Sequence, residues 1–290
     1  MRAAWTSAFM QKWLVVGCGY LGRELARSLH TLGHTVSAWT SSPESAARES
    51  AAGFRVSPVD IRDLDWVRRV GERDGPFDGV INCVSSGGGD AARYREIYWQ
   101  GTANLLRSLC FDRFFYTSST SVYGKNDGGT VDEDSPPETT TATGLILRET
   151  EDLVLARRGI VTRLSGIYGP GRCALLQRFL TGESTLDGDG GRWLNTIERD
   201  DAVAGILTLI EKSPASGIFN LTDDGGITQL AAFQFLAAAL DRPLPPSAPP
   251  NPGRKRGLTN KQVSNARLRQ LGWEPRFPTF LAGLQQLLKN

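Results

Sequence analysis

The chain has 290 residues, 40% hydrophobic and 22% charged, and its 33 basic against 31 acidic side chains leave a formal net charge of +2. That size can bury a sizeable core as one large domain or one domain with a smaller lobe, and so even a charge balance offers no cationic excess to the phosphates of a nucleic acid. Cys18, Cys83, Cys110 and Cys173 form no CxxC pair, residues 1–12 hold too short an apolar run for a secretory signal, and no apolar stretch reaches the ~18 residues of a membrane span, so a cytoplasmic protein with reduced thiols, no metal and no membrane partner is expected.

Met10 stands just ahead of the first predicted strand, and the nine residues before it read as a flexible extension or an early start codon. Residues 13–16 are that strand. Leu21, Leu25, Leu29 and Leu32 then fall at helical spacing, Gly33-His34 stops the helix, and residues 35–39 form the second strand. Further strands are predicted at 53–57, 79–84, 114–118 and 160–164, with helices over 64–72, 94–109 and 144–157. This alternation predicts a doubly wound parallel sheet with helices on both faces. The turn-rich stretches 125–141 and 186–192 are candidate loops over a site. Residues 242–257 (RPLPPSAPPNPGRKRG) read as a semi-rigid connection ending in a solvated charge run.

The first strand runs directly into Gly17-Cys18-Gly19-Tyr20-Leu21-Gly22 and then a helix. Gly17 permits the tight turn, Gly19 lets the backbone approach a pyrophosphate, Gly22 lets helix and sheet pack closely, and the helix N-terminus favours an anion. A dinucleotide, NAD or NADP, is the expected cofactor. The acidic residue that holds the adenosine ribose in such sites would fall at Thr40-Ser41-Ser42, where there is none. Without a carboxylate to repel a 2′-phosphate the balance tips to NADP, although no matching arginine stands out nearby. Asp60-Ile61 reads either as an adenine contact or as a turn or cap aspartate.

Beyond the loop, the chain resembles the short-chain dehydrogenase/reductase superfamily in its extended and atypical NAD(P)-dependent epimerase/dehydratase branch. The resemblance rests on the order of several fragments: Gly101-Thr102-Ala103-Asn104-Leu105-Leu106, Tyr116-Thr117-Ser118-Ser119-Thr120-Ser121-Val122-Tyr123-Gly124, Arg163-Leu164-Ser165-Gly166-Ile167-Tyr168-Gly169-Pro170-Gly171, Ile197-Glu198-Arg199-Asp200-Asp201-Ala202-Val203, Gly217-Ile218-Phe219-Asn220-Leu221, Lys261-Gln262-Val263-Ser264-Asn265 and Leu271-Gly272-Trp273. It implies an NAD(P)-binding Rossmann fold over 1–165, rejoined by about 196–222, with a smaller C-terminal substrate lobe from 166–195 and 223–290 and a ligand cleft between the two. It also implies that Asn82-Cys83-Val84-Ser85 faces the cofactor and that Ser119 hydrogen-bonds the reacting oxygen. Read without the resemblance, Ser118 and Ser119 could be strand-end hydroxyls satisfying local backbone groups.

The departures bear on chemistry. The superfamily pairs a Tyr with a Lys four positions on, which lowers the phenol pKa. Aligned through Gly144 and Glu151, the Tyr slot here holds Thr143 and the Lys slot Leu147, and neither can do that work. Arg148, one residue beyond, points about 100° away on the helix and is left open as a substitute. His30 and His34 read as structural, Tyr123 as a turn residue and Trp193 as core or substrate contact. Asn195 precedes the returning strand, Asp200 and Asp201 read as caps of a helix beginning at Ala202, and Tyr98, Tyr168, Glu133 and Glu138 border the site unranked. Two readings follow: an oxidoreductase or epimerase/dehydratase-like enzyme on a small polar or sugar-like substrate, or a non-catalytic NAD(P)-binding sensor or scaffold.

Overall fold

The computed structural model describes residues 10–49, 53–249 and 259–289. The nine residues before Met10 and positions 250–257 of the Pro-rich connection lie outside them. Strand β1 (Lys12–Val16) has four of its five residues buried and lies inside the sheet, with a neighbour on each side. Around it β2 (Thr35–Thr40), β3 (Arg55–Pro58), β4 (Phe77–Asn82) and β5 (Phe111–Ser119) pair in parallel. Strands Ile160–Leu164 and Gly217–Leu221 continue the parallel sheet past β5, in the order Gly217–Leu221, Ile160–Leu164, β5, β4, β1, β2, β3. The expected doubly wound sheet is therefore present, and its winding reverses between β1 and β4, the point at which open sheets of this class bind ligands. Gly79 makes that pairing fit: a Cβ there would stand 2.1 Å from the Trp13 ring.

Helix α1 (Tyr20–Thr31) buries Leu21, Leu25 and Leu29, the stripe its spacing predicts, while Leu32 becomes its C-cap. Helix α2 (Pro43–Arg48) was not expected; Ser42 caps it and Pro43 starts it. Helix α3 (Leu64–Asp74) is capped by Asp63. The helix expected over 94–109 begins earlier, because Asp90 caps α4 (Ala91–Tyr94), and a π-helical segment Arg95–Gln100 separates it from α5 (Gly101–Ser108). Helix α6 (Ala142–Ala156) starts behind the cap Thr141, whose Oγ1 accepts the Gly144 N–H at 3.1 Å.

By their contacts the residues divide into a first unit of 1–118, 141–162 and 214–218, and a second of 119–140, 163–213 and 219–290. The first unit's core includes Leu14, Trp39, Leu105, Phe114, Tyr116 and Val161. The second has its own core, with Tyr168, Phe179, Phe233, Leu236, Phe280 and Leu284. Its ladders are short, and both turn-rich stretches contribute to them: Thr130–Val131 pairs with Gln262–Val263, and Leu186–Asp187 with Ser247–Ala248.

Candidate cofactor and active site

The glycine loop sits at the carboxyl end of β1. Gly17 has φ +89°, a conformation that favours glycine, and a Cβ on it would lie 2.8 Å from the backbone of Cys83 and Val84. A Cβ on Gly22 would lie 2.2 Å from the Gly17 carbonyl oxygen, so this residue must be small for α1 to close on the loop. Gly19 differs, for a Cβ there meets nothing within 4 Å. The amides of Gly17 and Cys18 donate to the Trp39 carbonyl on β2, and α1 begins at Gly19 with no side-chain cap. The loop is thus fixed from behind by β2 and β4 and open in front of a helix N-terminus, which fits a pyrophosphate. Tyr20 is half-buried and Leu21 buried at the start of α1.

At the end of β2, the Thr40 hydroxyl donates to the Ser42 carbonyl at 3.1 Å, Ser41 is exposed, and Ser42 Oγ accepts the Ser45 N–H at 3.3 Å. Arg48, from the unforeseen α2, donates to Ser45 Oγ at 3.0 Å and brings a guanidinium to this hydroxyl cluster. Asp60 is held bidentately by Arg62, at 2.9 and 2.6 Å, which lowers its pKa, and it also accepts the Arg62 N–H. Ile61 is buried against Gly101. Asn82 donates to Thr102 Oγ1 and accepts the Val84 N–H, fixing the strand end that carries Cys83, Val84 and Ser85. Burial pushes the Cys83 thiol up to about 12 and the Cys18 thiol up to about 11, so both stay protonated near neutral pH. Exposed Ser85 accepts the Gly87 N–H, and Tyr98 Oη accepts the Ser86 N–H.

On α6, Thr143, Leu147 and Glu151 recur every four residues and share one face. Thr143 is half-buried and Leu147 buried. The fully buried Glu151, used above only to align the helix, accepts the Ser118 hydroxyl at 2.6 Å and pairs with Arg148 at 2.7 Å. Arg148 also reaches Asp152 at 3.0 Å. Ser118 and Arg148 are thereby engaged with one buried carboxylate.

In the second unit, Ser119 Oγ accepts the Ser121 N–H at 3.2 Å and caps the turn Thr120–Val122. Tyr123 ends this turn and is held at three points. Its phenol donates to Asn220 Oδ1 at 2.9 Å, the Arg163 guanidinium lies 4.7 Å from its ring centre, and its carbonyl accepts Lys261 Nζ at 3.0 Å. Lys261 is buried, and desolvation brings its pKa down to about 8. Glu133, buried and raised in pKa by that burial, accepts the Asn220 N–H at 2.7 Å.

The other flagged residues serve the local framework. Asn195 clamps the chain at Lys261 and Val263, the backbone N–H of half-buried Trp193 donates to Asn260 Oδ1, and Glu138 is exposed. Tyr168 is buried against Phe280, His30 lies edge-on to Phe54, and His34 accepts the Gln11 N–H, its pKa lowered by burial. The expectation for Asp200 and Asp201 is corrected. The helix starts at Arg199 and its cap is Glu198, while Asp201 instead accepts the Arg276 and Phe277 amides at 2.8 and 2.9 Å. Buried Asp223, whose pKa desolvation raises to about 8, was not singled out because its partner Thr196, 2.7 Å away, lies far off in sequence. No cluster that could hold a metal occurs among the described residues, and no helix there is long and apolar enough to cross a membrane.

Comparison with known proteins agrees with this layout. Protein YeeZ of Escherichia coli K12 is 34% identical over 224 residues, 73% of this chain and 77% of that one. The UDP-glucose 4-epimerase of Streptomyces lividans is 30% identical over 142 residues, 46% of this chain and 43% of that one. A Methylobacillus flagellatus protein whose structure carries an NAD-dependent epimerase/dehydratase assignment superposes with a TM-score of 0.80 at 30% identity, covering 97% of this chain and 98% of the other. The Thermotoga maritima UDP-glucose 4-epimerase with UDP-glucose shares the fold, with a TM-score of 0.80 at 21% identity over 96% and 97% of the two chains. The sequence profile of the NAD dependent epimerase/dehydratase family matches residues 13–222, and the chain belongs to that family.

Proposed function

We propose that this protein is a cytoplasmic NAD(P)-dependent oxidoreductase or epimerase/dehydratase-like enzyme that acts on a small polar, sugar-like substrate without the usual Tyr-Lys pair. The observation that carries the reading is the loop Gly17–Gly22, closed against Cys83–Val84 behind Gly17 and open in front of Gly19. Bound nicotinamide would donate or accept hydride. Ser119 accepts a hydrogen bond from Ser121 N–H, which leaves its own O–H to donate to a reacting substrate oxygen. Residues 166–195 and 223–290 supply substrate contacts. The sugar-like substrate class is supported by the UDP-glucose 4-epimerase relative. NADP is favoured over NAD by the absence of a carboxylate at Thr40–Ser42 and by Arg48 beside Ser45.

A second reading, a non-catalytic NAD(P)-binding sensor or scaffold, is supported by the burial of Leu147, the residue that the sequence reading aligns with the family's lysine. A thermal-shift titration with NAD, NADH, NADP and NADPH, followed by assays of cofactor oxidation against carbonyl and sugar substrates, separates these readings. Cofactor at about 100 times its Kd should stabilise the fold by about 2.7 kcal/mol. If no dinucleotide raises the Tm, both readings fail. Binding without turnover selects the sensor, and turnover unchanged in Ser119→Ala removes the role given to Ser119.

A further inference from the structure

Thr143 and Leu147, which the sequence aligns with the family's Tyr and Lys, supply neither acid nor base, and the structure ranks the side chains that could. The chain has six tyrosines and two histidines. Tyr116, Tyr123 and Tyr168 are at most 3% exposed, and the Tyr123 phenol already donates to Asn220. Tyr20 belongs to the glycine loop, while His30 ends α1 and His34 follows it, at the opposite end of that helix from the loop. Of the carboxylates singled out in the sequence, Glu133 is buried on the Asn220 amide and Glu138 is exposed. Tyr94 and Tyr98 remain, both half-buried, on the segment that follows β4.

One of these two phenols is held in place. Tyr98 Oη accepts the Ser86 N–H at 3.2 Å, with Ser86 Oγ 3.5 Å away, whereas no hydrogen bond fixes the Tyr94 hydroxyl among the described residues. Ser86 directly follows Cys83–Ser85 at the carboxyl end of β4, and β4 pairs with β1, which carries the glycine loop. Both bonds at Tyr98 are received by its oxygen, and no described residue accepts its proton. Any carbonyl could serve the Ser86 amide as acceptor; a phenol adds an oriented, transferable proton. Tyr98 stands in the π-helical segment Arg95–Gln100, which packs on α6 and is tied to it by Arg95 and Glu149 at 2.8 Å. π turns are rare and frequently stand at functional sites. The phenol is thus mounted against the helix that carries Thr143 and Leu147.

We infer that Tyr98 is the general acid and base of this protein, an inference that rests on the enzyme reading above. When a substrate carbonyl carbon takes hydride from reduced dinucleotide, its oxygen takes the Tyr98 proton and becomes a hydroxyl, leaving oxidised dinucleotide and a phenolate that recovers a proton from solvent. In the opposite direction the phenolate removes the hydroxyl proton as hydride leaves carbon. The substrate class is a secondary alcohol and its ketone, such as one ring position of a sugar.

The test uses the full chain with 3-fluorotyrosine in place of Tyr98 alone, followed by fluorine NMR, and a second sample labelled at Tyr168 alone. The Tyr98 signal should move when NADPH or NADH binds and move again when the oxidised form replaces it, because the two nicotinamide rings differ by one positive charge that a phenol beside the hydride-transfer position senses. The Tyr168 signal, from the core of the second unit, should not distinguish the two forms. In assays with carbonyl and sugar substrates, Tyr98→Phe should lose at least about a hundredfold in kcat with dinucleotide Kd within about twofold, and Tyr94→Phe should turn over as wild type does. A Tyr98 signal blind to the oxidation state, or wild-type turnover in Tyr98→Phe, overturns the inference and leaves the cofactor reading standing. Binding without any turnover selects the sensor and overturns it too. If no dinucleotide binds, the cofactor reading has failed and this assignment falls with it. The NMR measurement keeps the phenol ring in place, so it decides even if Tyr98→Phe folds poorly.

Discussion

Three glycines in one loop answer to different constraints, and substitution should separate them. Gly19→Ala adds a methyl with no neighbour within 4 Å, so the cofactor-free Tm should stay within about a degree of wild type while dinucleotide affinity falls about tenfold. Gly17→Ala combines a left-handed φ with a clash at 2.8 Å and should lower stability by about 1–3 kcal/mol, read as a reduced urea midpoint. Equal stability losses in the two variants would mean that Gly19 is also a packing residue. The loop was legible in sequence because a strand, three spaced glycines and a leucine stripe are all local. The serines at 41–42 were half-legible. They fall where a ribose-holding carboxylate would stand, yet Ser42 is also the cap of a helix announced by Pro43, and only that helix brings Arg48 to the same place.

On α6, Thr143, Leu147 and Glu151 form one stripe, along which Glu151 holds Ser118 and Arg148. Leu147 is buried, so Leu147→Lys would put an ammonium where solvent is scarce, and a loss of a few kcal/mol is expected in chemical denaturation. Glu151→Ala should cost about 3 kcal/mol, since Ser118 loses its acceptor and Arg148 a buried partner. An Arg148→Ala, Glu151→Ala double variant less damaged than the sum of the singles would confirm that the pair acts together. That Thr143 and Leu147 lie on one helix could be read from sequence alone, because they are four residues apart in one periodic segment. The Ser118–Glu151 bond could not, as it joins residues 33 apart. The π segment Arg95–Gln100 also left no signal, and the cap of Arg199–Lys212 was misassigned because two aspartates sat just behind the glutamate that does the capping.

For the whole molecule, two buried groups should shape the pH dependence of stability. Asp223 has a folded pKa raised to about 8, so the native state holds its proton more tightly than the unfolded chain; its contribution is complete below about pH 4 and is lost as pH rises to 8. Lys261, lowered to about 8, gives up its proton more readily when folded, so stability is regained from about pH 8 towards 10.5. Their combined effect is a minimum near pH 8. Urea midpoints at pH 6, 8 and 10 should show it, with Asp223→Asn flattening the acid side and Lys261→Met the alkaline side. A curve unchanged in both variants would place these pKa values elsewhere. The sheet of the N-terminal half was readable from its strand and helix periods, whereas the second unit's ladders of two or three residues are too short to leave a period.

The strand Gly217–Leu221 belongs to the same sheet as β1, although some two hundred residues separate them. During synthesis the sheet cannot be completed until Leu221 has left the ribosome, and the first unit's final segment, 214–218, arrives only then. A nascent chain paused near residue 165 would hold six strands with an unpaired edge on Ile160–Leu164, the kind of surface that recruits chaperones or other unfinished chains. A fragment ending there should therefore bind chaperone and aggregate, whereas one carried through Leu221 can close its sheet.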